Sequence, residues 1–288
     1  MDLNDDGNLD ILSGSYSRNG NPMAGLFQVL WGAGAGKFNQ AQPLEGTDGK
    51  PLEIPYNGDN ERVKGICTKP WAVDWDHDGD LDLVVGNFEG GFYLFSGQGE
   101  GAFDPVPEML ETDSGPLKIE GAHGDPFLVD WDGDGDLDML SGSSQGGAQW
   151  AENIAEEGKV PEFSGFQTLI KGSGYQNSFE LLKWQDLKKP QHSTRVWATD
   201  LNEDGKPDLL LGDSVALASI ANGLSKNEFE EKREAWQKKW DKASQMPYVE
   251  GDDEANQKRN EVFRDLYFQK AEFLNEDRTG FVWAYLRK

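Results

Sequence analysis

The sequence predicts an all-β chain of repeated strand, loop, strand units, with one α-helical hairpin inserted near its C-terminal end. Three observations predict it. An acidic loop of the form Asp-x-Asn/Asp-x-Asp-Gly-x-x-Asp-x-x-x-Gly occurs four times, opening at Asp2, Asp74, Asp130 and Asp200. Short apolar runs bounded by Gly or Pro flank the loops: "KPWAVD", "DPFLVD" and "RVWATD" before, "LDLVVG", "LDMLSG" and "PDLLLG" after. Runs of that length and boundary read as strands. Residues 225–276 break the pattern, being charged, nearly free of β-branched residues and apolar at helical spacing.

Each loop carries oxygen groups at its positions 1, 3, 5 and 9, and these are the candidate metal ligands. They are Asp2, Asn4, Asp6 and Asp10; Asp74, Asp76, Asp78 and Asp82; Asp130, Asp132, Asp134 and Asp138; and Asp200, Asn202, Asp204 and Asp208. Position 7 is Asn8, Asp80, Asp136 or Lys206, so varied that a main-chain carbonyl ligand is the natural reading there. Alternate carboxylates plus a carbonyl suit a hard cation that takes six to eight oxygens at about 2.3–2.6 Å, and Ca2+ fits best, up to four ions in all. Without an ion, two carboxylates about 4 Å apart repel by about 4 kcal/mol under a surface-like dielectric. Acidic surface turns of ordinary turn residues would explain one such loop. They do not explain four in one register. An EF-hand needs a bidentate Glu at position 12, where this chain has Ser13, Val85, Ser141 and Leu211.

The first two loops are followed by "GLFQVLWGAGAGKF" and "GGFYLFSGQGEGAF", and the third by the weaker "GGAQWAENIAEEGKVPEF", which keeps only Glu162-Phe163. With these motifs the chain resembles the FG-GAP/VCBS repeat family, whose blades occur in the propeller of integrin alpha subunits and in many bacterial surface proteins. The resemblance covers most of residues 1–220 and a short piece at the end. It implies a calcium-stabilised β-propeller with four blades visible, incomplete, at about residues 1–45, 65–108, 121–165 and 190–288, and it implies no single activity. Loop starts are 72, 56 and 70 residues apart, longer than a plain four-stranded blade of about 40–50 residues, so the connections at 39–69, 104–125 and 164–194 carry insertions. "GAGAGK" at Gly32–Lys37 lacks the spacing and the Ser/Thr of a phosphate-binding loop, and reads as a blade turn.

In the insertion, Ser225 and Glu228 form a capping-box signature, with Phe229, Trp236 and Trp240 along one stripe of the first helix. After "MPYVEGDD" the second helix shows Val262, Phe263, Leu266, Tyr267, Phe273 and Leu274. The expected structure is an antiparallel hairpin between the second and third strands of the fourth blade. Its aromatic stripe either packs the hairpin onto itself and the blade or forms a lid or partner surface.

A net charge of −25 argues against nucleic acid or an anionic membrane as partner, and four bound Ca2+ would leave the chain acidic. With 36% hydrophobic and 11% aromatic residues the composition is that of a folded protein, although the mean hydropathy of −0.68 is polar. One cysteine, Cys67, excludes an internal disulfide, and no apolar span is long enough for a membrane. Loops of this kind suit the about 10⁻⁴–10⁻³ M affinities of extracellular modules, which predicts an extracellular, periplasmic or cell-surface location. The chain opens at its first loop, and "GFVWAYLRK" ends it on the third strand of a blade. The expectation is a fragment or mis-started frame, its export signal lost upstream.

Cys67 and His123 stand seven residues before a loop start, with His192 one place further back, expected near the central axis with Arg62, Lys64 and Arg195. A soft-metal or catalytic cluster is one reading; polar residues at a channel mouth is the other. His77, at loop position 4, is expected in solvent, and Trp75 and Trp131, at position 2, between blades. The functional expectation is a non-enzymatic, calcium-binding adhesion or ligand-binding scaffold for a protein or glycan. A polysaccharide lyase or hydrolase, or a lectin-like carbohydrate binder, on the same scaffold is the alternative.

Overall fold

A computed structural model describes residues 1–16, 26–54, 67–156, 158–174, 179–249 and 251–288. Four small sheets stand in a ring as the blades of a propeller, and two helices lie toward the C-terminal end. The first blade holds β1 (Ile11–Ser13), β2 (Gln28–Leu30) and β3 (Gln42–Pro43). The second is β4 (Lys69–Val73), β5 (Asp82–Gly86), β6 (Phe92–Phe95) and β7 (Glu108–Met109), followed by a small hairpin of β8 (Glu111–Thr112) and β9 (Gly115–Pro116). The third is β10 (Pro126–Val129), β11 (Asp138–Ser141), β12 (Gly147–Ala151) and β13 (Gln167–Lys171). The fourth is led by β14 (His192–Thr199) and β15 (Asp208–Ile220). Neighbouring strands of the first three blades pair antiparallel.

The unbroken apolar runs after the loops follow from burial on both faces. Alternate residues of a strand point to opposite sides of its sheet. In β5, Leu83 and Val85 enter a core shared with Phe27, Val29 and Phe103 of the first and second blades, whereas Val84 enters the next core with Trp75, Phe92 and Met139. In β11, Met139 joins that second core and Leu140 joins a third with Phe127, Trp131, Val196 and Leu211. Each fully buried Phe or Leu stabilises by about 1.5–3 kcal/mol relative to exposure, so a blade is held chiefly by its neighbours.

Adjacent blades are also clasped by backbone. Cys67 and His123 take left-handed φ of 54° and 65° just ahead of β4 and β10, and Ser193, the second residue of β14, takes 52°. That conformation is costly for a residue with a Cβ and persists where the surroundings enforce it. It turns successive N–H groups toward the preceding blade: His123 and Gly124 donate to Phe88 and Asn87 at 2.8 and 2.9 Å, and Ser193 and Thr194 to Ser144 and Ser143 at 3.1 and 3.0 Å. Thr68 donates to Ser15 at 3.2 Å. The loop-end glycines accept this approach, because a Cβ on Gly14, Gly86 or Gly142 would collide with the carbonyl of Thr68, Gly124 or Thr194. Gly212, the fourth, meets nothing within 4 Å among the described residues.

The chain divides into two compact units, one of Met1–Tyr175, Lys189–Asp213 and Phe281–Lys288, the other of Gln176–Lys188 and Ser214–Gly280. In the first unit β17 (Val282–Tyr285) pairs with the start of β15, Leu209 opposite Tyr285. In the second, the remainder of β15 pairs with β16 (Leu274–Thr279), a ribbon that the sequence reading did not anticipate. Between those strands run α1 (Lys226–Ser244) and α2 (Asp253–Lys270). The capping box is present, with the Ser225 N–H donating to Glu228 Oε2 at 2.8 Å and the Glu228 N–H to Ser225 Oγ at 3.3 Å. Phe229, Trp236, Leu266 and Phe273 form this unit's own core, and the Trp236 indole N–H donates to the Leu266 carbonyl at 2.7 Å. Tyr267, expected on that stripe, is instead 63% exposed beside Phe268. Val262, Phe263 and Leu266 already fill the buried face.

Candidate functional site

Each acidic loop is shaped by its own carboxylates accepting backbone N–H groups. In the first, Gly7 donates to Asp2 Oδ2 and Asn8 to Asp6 Oδ1, both at 2.8 Å. In the fourth, Gly205 donates to Asp200 Oδ2 at 2.8 Å and Lys206 to Asp204 Oδ1 at 3.0 Å. The Gly205 bond is the leading cause that holds the Asp200 carboxyl below its ordinary value. Position 4 takes positive φ in Asp5, His77 and Glu203, and Gly79 at position 6 has φ 98°, a turn that favours glycine. His77 is exposed, and Trp75 and Trp131 are buried between blades.

The geometry separates two groups of loop oxygens. Asp74, Asp76 and Asp78 bring three carboxylate oxygens within 4.8 Å of one another, and Asp130, Asp132 and Asp134 do the same. In the first and fourth loops position 3 is an amide, and Asn202 Nδ2 donates to Asp204 Oδ2 at 3.0 Å. The position-9 carboxylates Asp10, Asp82, Asp138 and Asp208 are buried. Each braces its blade in one repeated way. One oxygen accepts the N–H of loop position 2, from Leu3, Trp75, Trp131 and Leu201 at 2.8, 2.7, 3.0 and 3.0 Å. The other accepts the N–H of Gly32, Gly97, Asn153 and Arg287 at 2.7, 2.7, 2.8 and 2.7 Å, just after β2, β6, β12 and β17. A carboxylate oxygen has two lone pairs, so this bracing leaves acceptor capacity for a cation. Burial nevertheless pushes the Asp82 and Asp138 carboxyls up, against the pull of those N–H groups.

Two observations favour a cation in these loops. Asp74 Oδ1 and Asp136 Oδ1 are buried without a hydrogen-bond partner, a state that costs about 1–3 kcal/mol for a polar group. Burial, followed by Asp134, Asp138, Asp132 and Asp130, pushes the Asp136 carboxyl up to about 6. An all-oxygen donor set of this charge suits Ca2+. The carbonyls of Asn8, Asp80, Asp136 and Lys206 stay assigned to position 7 as proposed ligands.

The residues singled out near the axis are partly brought together. Cys67 and His123 occupy equivalent left-handed positions, and the third equivalent is Ser193 rather than His192. Burial pushes the Cys67 thiol up to about 11 and the His123 imidazole down. Among the described residues the two acidic triads are the only close groupings of metal-ligating side chains that hold three or more, and neither contains Cys67 or a histidine. Arg195 pairs with Asp125 at 2.8 Å. Arg62 and Lys64 lie outside the described residues. Neither the interblade clasp nor the left-handed residues were found by sequence reasoning. The repeated Gly at loop position 13 was their visible trace.

No helix among the described residues is long and apolar enough to cross a membrane. A search of curated proteins finds no match. Residues 74–141, from the opening of the second loop to the end of β11, match the family model for the FG-GAP-like repeat, and that segment is similar to this family.

Proposed function

We propose that the chain is a calcium-binding propeller scaffold, working outside the cytosol, which presents a protein- or glycan-binding surface and carries out no catalysis. The observation that carries the metal reading is the pair of converging triads, Asp74/Asp76/Asp78 and Asp130/Asp132/Asp134, beside orphaned oxygens of Asp74 and Asp136. Ca2+ supplies positive charge and six to eight coordination positions, relieving the repulsion among these carboxylates. The residues do the rest. Loop carboxylates fold the segment that leads into β1, β5, β11 or β15, and the position-9 Asp ties that segment to the backbone just after β2, β6, β12 or β17. Ion occupancy is thereby coupled to the order of the whole blade. The second and third loops, with four carboxylates each at positions 1, 3, 5 and 9, are expected to bind more tightly than the first and fourth, which have three there. Support for an extracytosolic setting is the weak affinity class of such loops together with the family match. Melting the chain in calcium, magnesium and chelator tests the metal reading: calcium alone should raise the midpoint strongly. Incubation with acidic and neutral polysaccharides tests the rest, and depolymerisation would replace the scaffold by an enzyme.

A further inference from the structure

Because β4, β10 and β14 are the neighbouring innermost strands, residues at equal distances from their loops meet in layers around the axis. Five residues before the loop stand Lys69, Asp125 and Arg195, and three before it Trp71, Phe127 and Trp197. The aromatic layer is a single packed group: Trp71 to Phe127 is 4.5 Å between centroids, Phe127 to Trp197 5.1 Å and Trp71 to Trp197 6.4 Å. Phe127 is buried in it, yet Trp197 remains 53% exposed. A large indole gripped along one side by two rings and free on the other is a rigid stacking surface.

The charged layer next to it is short of anions. Asp125 is engaged by Arg195 at 2.8 Å, while Lys69 Nζ donates to the His123 carbonyl at 3.0 Å and makes no ion pair among the described residues. Burial pushes the Lys69 ammonium down to about 8, as expected of a cation whose lost hydration is incompletely replaced. In a chain of net charge −25 this is a local excess of positive charge. Ser193 and Thr199 are exposed on the same side of β14 as Arg195 and Trp197, and their hydroxyls suit a polyhydroxylated ligand.

We propose that this axial layer is a binding site for a carboxylated sugar ring, a uronic acid unit of an acidic glycan, with its carboxylate between Lys69 and Arg195 and its apolar C–H face on Trp197. The inference rests on the ligand-binding scaffold reading and names its ligand. Charge complementarity selects the anion, and the hydroxyl groups flanking a free indole face select a sugar over a purely aromatic acid.

The test is calorimetric titration of the calcium-loaded full chain with oligogalacturonate, with a neutral oligosaccharide of the same length and with benzoate. Oligogalacturonate should bind, and Lys69→Gln, Arg195→Gln and Trp197→Leu should each weaken it at least about tenfold, with calcium uptake unchanged. In the unsubstituted protein the same ligand should protect tryptophan emission from iodide quenching, a readout that no variant's folding can disturb. Absence of oligogalacturonate binding, equal binding of the neutral sugar, binding of benzoate alone, or variants that bind as well as the parent would each overturn the proposal. Loss of calcium uptake by the unsubstituted chain would instead strike the scaffold reading.

Discussion

Asp138 and Asp134 lie in one loop and do different work, a difference that thermal melting can expose. Asp138 is buried and takes N–H groups from Trp131 and Asn153, so Asp138→Ala strands two buried donors at about 1–3 kcal/mol each. That loss should persist in chelator, because the two N–H groups need Asp138 whether or not an ion is bound. Asp134 belongs to the exposed triad, so Asp134→Ala, like Asp78→Ala, should lower the midpoint in calcium and change little in chelator. Equal losses in both media for the triad variants would refute its role as ligand. Asp136 gives a pH signature. Its folded carboxyl is raised to about 6 above an ordinary value of 3.8, so ionised Asp136 penalises the folded state. Without calcium, that penalty lifts as pH falls through about 6, and the relief is complete below the unfolded value. The chelated protein should therefore gain stability between pH 7 and 5, and Asp136→Asn should be the more stable at pH 7 with a flatter pH response. Parallel pH profiles for the two proteins would contradict this.

At the scale of elements, the blades depend on a backbone approach that only a residue lacking Cβ permits. Gly142→Ala drives a methyl group into the Thr194 carbonyl and should cost about 1–3 kcal/mol, whereas Gly212→Ala enters open space among the described residues and should be near neutral. Denaturant unfolding of the two variants compares them directly, and equal losses would show that the clasp is not what the glycine serves. Of these elements, the strands flanking the loops and the capped α1 were legible because apolar periodicity and the Ser225/Glu228 pair are local signals. The clasp was not, since left-handed φ at Cys67, His123 and Ser193 is imposed by the preceding blade and these residue types do not announce it. The β15–β16 ribbon was missed for a related reason. "ALASI" and "LNEDRT" carry no two-residue alternation of their own, and pairing with each other makes them strands.

Across the whole molecule, the four loops made the candidate metal sites readable as residue types and spacing. The axial layers needed the fold, because only the ring brings Lys69, Asp125 and Arg195 from separate blades to one level. The second unit has its own core around Phe229, Trp236 and Phe273, and Asp213 already meets Phe281 at 3.0 Å where the chain leaves and re-enters the propeller. Joining Asp213 to Phe281 through a short Gly-rich turn should therefore preserve calcium-dependent melting, and collapse of the remaining protein would place the second unit in the propeller's core.

The central claim, that clustered loop carboxylates hold a divalent cation on which blade order depends, is tested most directly by calorimetric titration of the metal-free folded chain with Ca2+, repeated as a melt. The account predicts saturable uptake by millimolar concentrations and a rising midpoint, worth about 2.7 kcal/mol for each site at a hundredfold excess over its dissociation constant. No heat of binding, with a melt indifferent to calcium, would contradict it.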